Sequence, residues 1–287
     1  MPDSKMPNSK MPDSEMPNTE MPNSQIQDQS IGSRFTASSS TYDRHANIQD
    51  QVAVRLMELI DSGPDVDRIL ELGCGTGRLT QKICERFSAA DITAVDLSEA
   101  MIGQAKIRFD AGINVDWVAS DICDYVTDQM FPLIVSSSSL HWVTPIDRAF
   151  EVIDQSIEPG GQIVLAIMLR DTLGELHDAR LRVAPHKPPQ SRLPMMDDVL
   201  NAGHRLGWET LHQSQSVFTV QYASARDLLV AIHQQGLTGG SVSRSHLPLT
   251  RGEIASLIKD YDSRYQNDSG KVIASYQVGF LRCRKVE

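Results

Sequence analysis

Arg68-Ile69-Leu70-Glu71-Leu72-Gly73-Cys74-Gly75-Thr76-Gly77 decides the fold of this 287-residue chain. A short apolar run, a glycine turn and a helix-like segment from Arg78 to Phe87 follow one another, the order of a nucleotide-binding corner. The glycines repeat as G-x-G-x-G. The dinucleotide fingerprint is G-x-G-x-x-G, and Arg78 stands where its last glycine would be. That spacing turns the reading from NAD and FAD toward S-adenosyl-L-methionine. Glycine serves such a turn because backbone must come close to the ligand and take φ values that a Cβ disfavours.

Outward from the corner, strand and helix patterns alternate. Ile48–Ile60 has apolar residues at helical spacing. Asp91–Val95, Asn114–Val118, Phe131–Ser136 and Gln162–Met168 read as strands. Ser98 opens one helix, with Glu99 in its first turn, and Pro145–Ile157 forms another. Alternation of this kind implies a parallel sheet with right-handed crossovers, and the continuous apolar strands imply that both sheet faces are covered. Residues 172–205 read as mostly helical, broken at Pro185-His186-Lys187-Pro188-Pro189. Val217–Tyr222 and Lys271–Arg282 read as strands, Ala225–Gln234 and Glu253–Tyr261 as helices. The expected fold is therefore α/β: a Rossmann-like, seven-stranded, mostly parallel sheet with a helical lid, about residues 170–205, inserted after the fifth strand. Residues 1–30 begin with the pentapeptides MPDSK, MPNSK, MPDSE, MPNTE and MPNSQ, and are expected to form a disordered tail; residues 31–287 make one domain.

Composition narrows the function. Apolar residues make up 40% of the chain, enough for a core, and the net charge of −10 argues against a bulk nucleic-acid binder. No apolar run approaches the ~20 residues that span a bilayer, and no signal-peptide pattern opens the chain. Together these predict a cytoplasmic protein. The four cysteines, Cys74, Cys84, Cys123 and Cys283, form no C-x-x-C pair or metal cluster, so free thiols and no metal are expected.

Several residues fit a cofactor site. The loop of Gly73, Cys74, Gly75 and Gly77 should face the methionine part, with Glu71 orienting it from the strand end. Asp96, beside Leu97, ends the second strand about 20 positions after the glycine turn, where a carboxylate accepts from ribose hydroxyls. Asp121 follows the third strand and could accept from the adenine amino group, with Ile122 against the ring. Ser136-Ser137-Ser138-Ser139-Leu140-His141-Trp142 stands at the carboxyl end of the fourth strand, where open α/β sheets bind ligands. Ser137 there belongs to the cofactor set, and His141 and Trp142 to a substrate channel. The Asn/Asp-Pro-Pro-aromatic sequence of nucleic-acid amino methyltransferases is absent.

Beyond this generic core, the chain resembles the malonyl-[acyl-carrier protein] O-methyltransferases from about Phe35 to the C-terminus. The resemblance is carried by Phe35 to Ala46 (FTASSSTYDRHA) followed by Gln49, by LIVSSSSLHW, and by Thr172-Leu173-Gly174-Glu175-Leu176. It continues in Arg192-Leu193, in Leu237-Thr238-Gly239-Gly240 with Arg244 and Leu249-Thr250-Arg251, and in Tyr276-Gln277. Leu193 departs from the family's usual aromatic, and the pentapeptide tail has no counterpart. The resemblance implies methyl transfer to the free carboxylate of a malonyl thioester on an acyl carrier protein, the step that opens the pimelate branch of biotin synthesis. The carboxylate is already ionised at pH 7, so no general base is required. Tyr42, His141, Arg170 and Arg192 are the expected donors to it. An acidic carrier protein needs a local basic patch on an acidic enzyme, and residues 179–192 contain Arg180, Arg182, Lys187 and Arg192 without an acid. Arg180, Arg182 and Lys187, with Arg244, are therefore the expected partner-binding residues. A methyltransferase of another small carboxylate or metabolite shares every cofactor residue; a non-enzymatic protein with a degenerate pocket is opposed by the intact glycines and Asp96; an NAD oxidoreductase is opposed by the glycine spacing.

Overall fold

The computed structural model describes residues 23–61, 66–109, 113–188, 193–237 and 247–286, the side chains from Ile31 onward. Arg192, Arg244 and the pentapeptides before residue 23 lie outside the described residues.

Seven strands, β1 (Arg68–Leu72), β2 (Asp91–Asp96), β3 (Val115–Ala119), β4 (Phe131–Ser137), β5 (Ile157–Met168), β6 (Trp208–Tyr222) and β7 (Val272–Lys285), form one sheet in the order β3-β2-β1-β4-β5-β7-β6. The first five are parallel; β7 runs antiparallel to both β5 and β6. This is the expected mostly parallel sheet closed by a late antiparallel strand. Successive side chains alternate between its faces. Ile69, Leu133, Val135 and Val164 pack with Val52 and Leu56 of α2 (Asn47–Leu59) and Ile83 of α3 (Arg78–Arg86). Leu70, Leu72, Ile134 and Leu165 pack with Phe150 and Ile153 of α5 (Asp147–Ser156) and Val199 of α7 (Met196–Arg205). With α4 (Glu99–Arg108) between β2 and β3, both faces are covered.

The helical segment after β5 consists of α6 (Gly174–Val183) and α7, and the chain continues through α8 (Ala225–Gln234) and α9 (Arg251–Arg264). The Thr172–Glu175 segment fastens α6 to β7. Thr172 Oγ1 donates to the Gln277 carbonyl at 3.0 Å and accepts from the Gln277 N–H at 3.1 Å, while Glu175 accepts from the Ser275 N–H at 3.2 Å. These motif residues hold the start of α6 against β7.

Three elements depart from expectation, the first being β5, which begins at Ile157 rather than Gln162 and takes in Pro159-Gly160-Gly161. β6 begins at Trp208 rather than Val217, because its first half (WETLHQSQS) alternates exposure with polar side chains and offers no apolar run to read. Helix α1 (Asn23–Tyr42) opens inside the segment expected to be a tail. Its serines and threonines are weak helix formers. Ser39 Oγ and Thr41 Oγ1 bond back to carbonyls three residues earlier, and tertiary bonds fix the helix: Thr36 Oγ1 with Ser98 Oγ at 2.9 Å, and Thr41 Oγ1 to the Gln234 carbonyl at 2.9 Å. No helix among the described residues is long and apolar enough to cross a membrane.

Candidate active site

Strand order reverses between β1 and β4, and the site forms at the carboxyl ends of these strands, the switch point of an open α/β sheet. The glycine loop leaves β1 there. The N–H groups of Gly73 and Cys74 donate to the Val95 carbonyl at 2.8 and 3.0 Å, which ties the loop to β2. Asp96 completes the tie: its two carboxylate oxygens accept from the Gly75 N–H at 2.8 Å and the Ser98 N–H at 2.9 Å. A carboxylate offers about four acceptor positions, so these bonds leave capacity for ribose hydroxyls. Burial raises the Asp96 value against the lowering effect of both N–H donors. Burial likewise pushes Cys74 well up, which keeps it a thiol.

Glu71 stands beneath the loop, 1% exposed, and accepts from Thr80 Oγ1 at 2.6 Å. Burial pushes its carboxyl up to about 8, with the bond from Thr80 opposing and the charge of Asp96 assisting. Glu71 therefore supports the loop from inside the core. A carboxyl raised in the folded state binds its proton more tightly when folded. Its contribution to stability is complete below the unfolded value of 4.5 and is lost as pH rises toward 8. Glu71→Gln is expected to flatten the fall of melting temperature between those limits; melts at several pH values, showing equal slopes for both proteins, would remove Glu71 from this role.

Two adjoining cavities open above the strand ends. One is lined by Asp96, Leu97, Asp121 and Ile122, together with Ile31, Cys123, Ser139 and Arg148. Asp121 Oδ1 accepts from the Cys123 N–H at 2.7 Å, capping a short 3₁₀ turn, Ile122–Asp124. The other is mostly apolar. Tyr42, Gln49, Ser138, His141, Met168, Leu176, Ile232 and Tyr276 contribute to its wall. Phe35 and Trp142 line both cavities, and their rings meet edge to face with centroids 5.7 Å apart.

Two observations mark the apolar cavity as built for a ligand. Gln49 Oε1, Ser138 Oγ and His141 Nδ1 are buried polar atoms without a hydrogen-bond partner, and all three residues line it. Ser137 Oγ, next to Ser138, is buried and unpartnered as well. Among the described residues, the non-glycine residues with positive φ are Ser138 (55°) and Leu173 (56°), and both line the cavity. Backbone strain of this kind persists at binding sites, where the surroundings enforce it. Burial pushes the His141 imidazole down to about 3, so it is neutral at pH 7. Burial, then the charges of Asp96 and Asp43, raise the Tyr42 phenol against the pull of Arg78, so it is protonated.

Asp43 was not anticipated as a site residue. It accepts from Thr76 Oγ1 of the glycine loop at 2.6 Å, from Arg78 Nε at 3.1 Å and from Arg108 Nη2. Burial would raise its value, but these hydrogen bonds and the two guanidinium charges hold it below the usual carboxylate range. Asp43 thus locks the end of α1 to the loop.

The expected donors and docking residues divide. Tyr42 and His141 share the apolar cavity. Arg170 does not join them: its N–H donates to the Pro194 carbonyl at 3.0 Å, and its exposed side chain stands 4.0 Å from Asp198. The basic segment after β5 is paired from α9, about 70 residues away in sequence. Arg182 pairs with Asp260 at 2.6 Å, and Lys187, 7% exposed, pairs with Glu253 at 2.7 Å and donates to the Pro248 carbonyl. Arg180 Nε donates to the Lys187 carbonyl at 3.0 Å. Arg182 and Lys187 thus tie this segment to α9, and Arg180 bonds within the segment itself.

S-adenosyl-L-methionine fits the residues present: a loop with three glycines at positive φ, Asp96 and Asp121 in one cavity, and unpartnered polar atoms beside it. A sheet of this order with this corner defines a methyltransferase of the Rossmann-like class. The family described as "Methyltransferase domain" matches residues 69–161. The fold resembles the Bacillus subtilis YcgJ protein, with a TM-score of 0.57 at 12% identity over 82% of this chain and 98% of that one. It also resembles a Haemonchus contortus phosphoethanolamine N-methyltransferase solved with S-adenosyl-L-methionine, with a TM-score of 0.52 at 17% identity over 92% and 59%. In sequence, the chain is 30% identical to the malonyl-[acyl-carrier protein] O-methyltransferase of Anoxybacillus flavithermus, over 88% of this chain and 96% of that one. It is 28% identical to that of Brevibacillus brevis, over 88% and 95%. The chain belongs to the malonyl-[acyl-carrier protein] O-methyltransferase family.

Proposed function

We propose that this protein transfers a methyl group to the free carboxylate of a malonyl thioester carried on an acyl carrier protein, giving the methyl ester that primes pimelate and biotin synthesis. The observation that carries the reading is an apolar cavity sharing Phe35 and Trp142 with the Asp96–Asp121 cavity and holding unpartnered polar atoms at Gln49, Ser138 and His141. Bound in the neighbouring cavity, S-adenosyl-L-methionine supplies an electrophilic methyl group on a sulfonium. Asp96 and Asp121 hold the nucleoside end, and the loop of Gly73, Cys74, Gly75 and Gly77 holds the methionine end. Leu97, Ile122 and Ser137 complete that set.

The acceptor carboxylate is already an anion, so the protein has to orient it and remove water. Tyr42 and Ser138 carry hydroxyl donors, and neutral His141 carries one N–H. Among the described residues these donors are neutral, and a neutral donor orients the carboxylate while leaving its oxygen nucleophilic. An anion and a cation react to give two neutral groups, so apolar walls such as Trp142 and Met168 favour the charge-dispersed transition state over the separated ions. Labelled S-adenosyl-L-methionine incubated with malonyl-carrier protein should yield a labelled methyl ester. Transfer only to free small carboxylates, or to none, would sink the assignment.

Two results separate this arrangement from its alternatives. His141 is neutral throughout the range near its ordinary value of 6.5, so kcat/KM is expected to show no ionisation between about pH 5.5 and 7. Loss of activity as pH rises through that window would identify His141 as a cationic clamp. Arg182→Glu puts like charges at Asp260. It is expected to lower the melting temperature and to affect carrier-linked and coenzyme A thioesters equally; a selective rise in KM for the carrier-linked substrate would restore Arg182 to docking.

A further inference from the structure

We infer that Gln49 reads the arm that carries the acyl group: its side-chain oxygen accepts the N–H of the arm's amide nearest the thioester. The inference rests on the carboxyl methyl transfer proposed above and adds recognition of the arm to it.

Gln49 stands on α2, whose Ile48 and Val52 are buried in the core and whose Asp50 pairs with Lys82 of α3 at 3.3 Å. The helix is held on both counts, and it presents Gln49 to the apolar cavity from a fixed backbone. Gln49 Oε1 is buried and has no hydrogen-bond partner. Leaving a buried polar atom unpaired is costly, and a binding site can draw the missing partner from its ligand. The other unpartnered atoms of this cavity, Ser138 Oγ and His141 Nδ1, can be satisfied by the malonyl group itself. A hydroxyl rotates to donate, and a neutral imidazole can carry its proton on Nδ1. One then points an O–H and the other an N–H at the carboxylate or the thioester carbonyl. Gln49 Oε1 only accepts, and the oxygens of an ionised malonyl group only accept as well. Its methylene offers no more than weak C–H donors. The partner of Gln49 therefore has to come from beyond the thioester sulfur. The first N–H in that direction belongs to the cysteamine amide of a pantetheine arm.

The rest of the wall makes that amide depend on Gln49. Leu173, Leu176 and Ile232 have no acceptor in their side chains. The Thr172 hydroxyl is engaged by the Gln277 backbone, and the Tyr276 hydroxyl bonds to Tyr222. An amide brought into such surroundings without a partner is disfavoured, so one acceptor on a fixed helix selects for the arm.

The test uses the full chain with S-adenosyl-L-methionine and two short malonyl thioesters. The N-acetylcysteamine thioester keeps the amide; the S-pentyl thioester replaces it with methylenes. Gln49→Leu and Gln49→Met remove the acceptor, and cofactor binding by calorimetry verifies that each variant is folded. The ratio of kcat/KM for the amide thioester to that for the alkyl one is expected to fall at least about fivefold in both variants. The contact is the same before and during transfer, so the change is expected in KM and not in kcat. Methyl transfer with an unchanged ratio in both folded variants overturns the inference and leaves the methyl-transfer reading intact. Turnover of malonyl-carrier protein but of neither short thioester places recognition away from this amide and overturns the inference as well. No methyl ester from any malonyl thioester, carrier-linked included, overturns both.

Discussion

Gly73→Ala is expected to weaken S-adenosyl-L-methionine binding by at least about a hundredfold, some 2.7 kcal/mol. Gly73 has a φ of +77°, where any residue with a Cβ loses about 1 kcal/mol. The larger effect is steric. A Cβ at this position would stand 1.9 Å from Ser139 Oγ and 2.2 Å from Ser139 Cβ. A rotating hydroxyl can relieve the first contact, but only backbone movement relieves the second. Neither backbone is free to move without affecting the site. The Gly73 and Cys74 N–H groups are bonded to Val95, and Ser139 follows Ser138, whose N–H donates to the Ala166 carbonyl at 2.8 Å. Ser139 also lines the cavity that holds Asp96 and Asp121. Gly75 provides the control on the same loop. Its φ is +54°, but a Cβ there meets nothing within 4 Å, so Gly75→Ala carries the backbone cost alone, about five- to tenfold in affinity. Calorimetric titration of both variants decides the matter. Similar, modest losses at the two positions would show that the loop tolerates displacement, and that contact with Ser139 does not set its shape.

The cofactor half of this site was legible because its signals are local. The glycine turn, the acid at the end of β2 and the acid after β3 each sit at a strand end that apolar periodicity alone can place. The acceptor half was legible only in pieces. Tyr42 and His141 do share a cavity, but Gln49 and Ser138 gain meaning only when their unpartnered atoms are seen to face the same space. The ion pairs of the basic run after β5 were not legible for a related reason: Asp260 and Glu253, which pair with it, arrive from α9. Helix α1 could not be read at all. Its serines and threonines favour local backbone bonds in caps and turns, and its helical form depends on Ser98 and Gln234 from elsewhere in the chain. β6 shows the same limit in a strand, since polar alternation at a sheet edge carries little apolar signal.

Asp43→Ala should weaken both substrates at once, because Asp43 joins the two halves of the site. It follows Tyr42 at the end of α1, and that helix supplies Phe35 and Tyr42 to the apolar cavity and Ile31 to its neighbour. Its carboxylate accepts from Thr76 in the glycine loop, from Arg78 at the start of α3 and from Arg108 at the end of α4. Arg108 also donates to the Thr76 carbonyl at 3.1 Å, so three elements converge on one side chain. Removing it leaves two guanidiniums without their shared carboxylate and loosens the end of α1, which keeps the bonds from Arg78 to the Asp43 carbonyl and from Thr41 to Gln234. The Asp43 side chain is 39% exposed, so water screens each ion pair and the full worth of a buried pair does not apply. Cofactor affinity is expected to fall about tenfold to thirtyfold, with a comparable rise in acceptor KM, because Tyr42 and Phe35 lose their fixed position. Asp43→Asn keeps an acceptor for Thr76 and loses only the charge, so it should fall between the two proteins. It should also remove most of the salt dependence of cofactor binding, a change that loss of packing alone does not produce. If Asp43→Ala lowers the melting temperature but leaves cofactor affinity and acceptor KM unchanged, α1 is held independently of the loop and the two cavities close separately. If both constants move together and the asparagine variant loses its salt dependence, the charge at Asp43 couples cofactor capture to formation of the acceptor cavity.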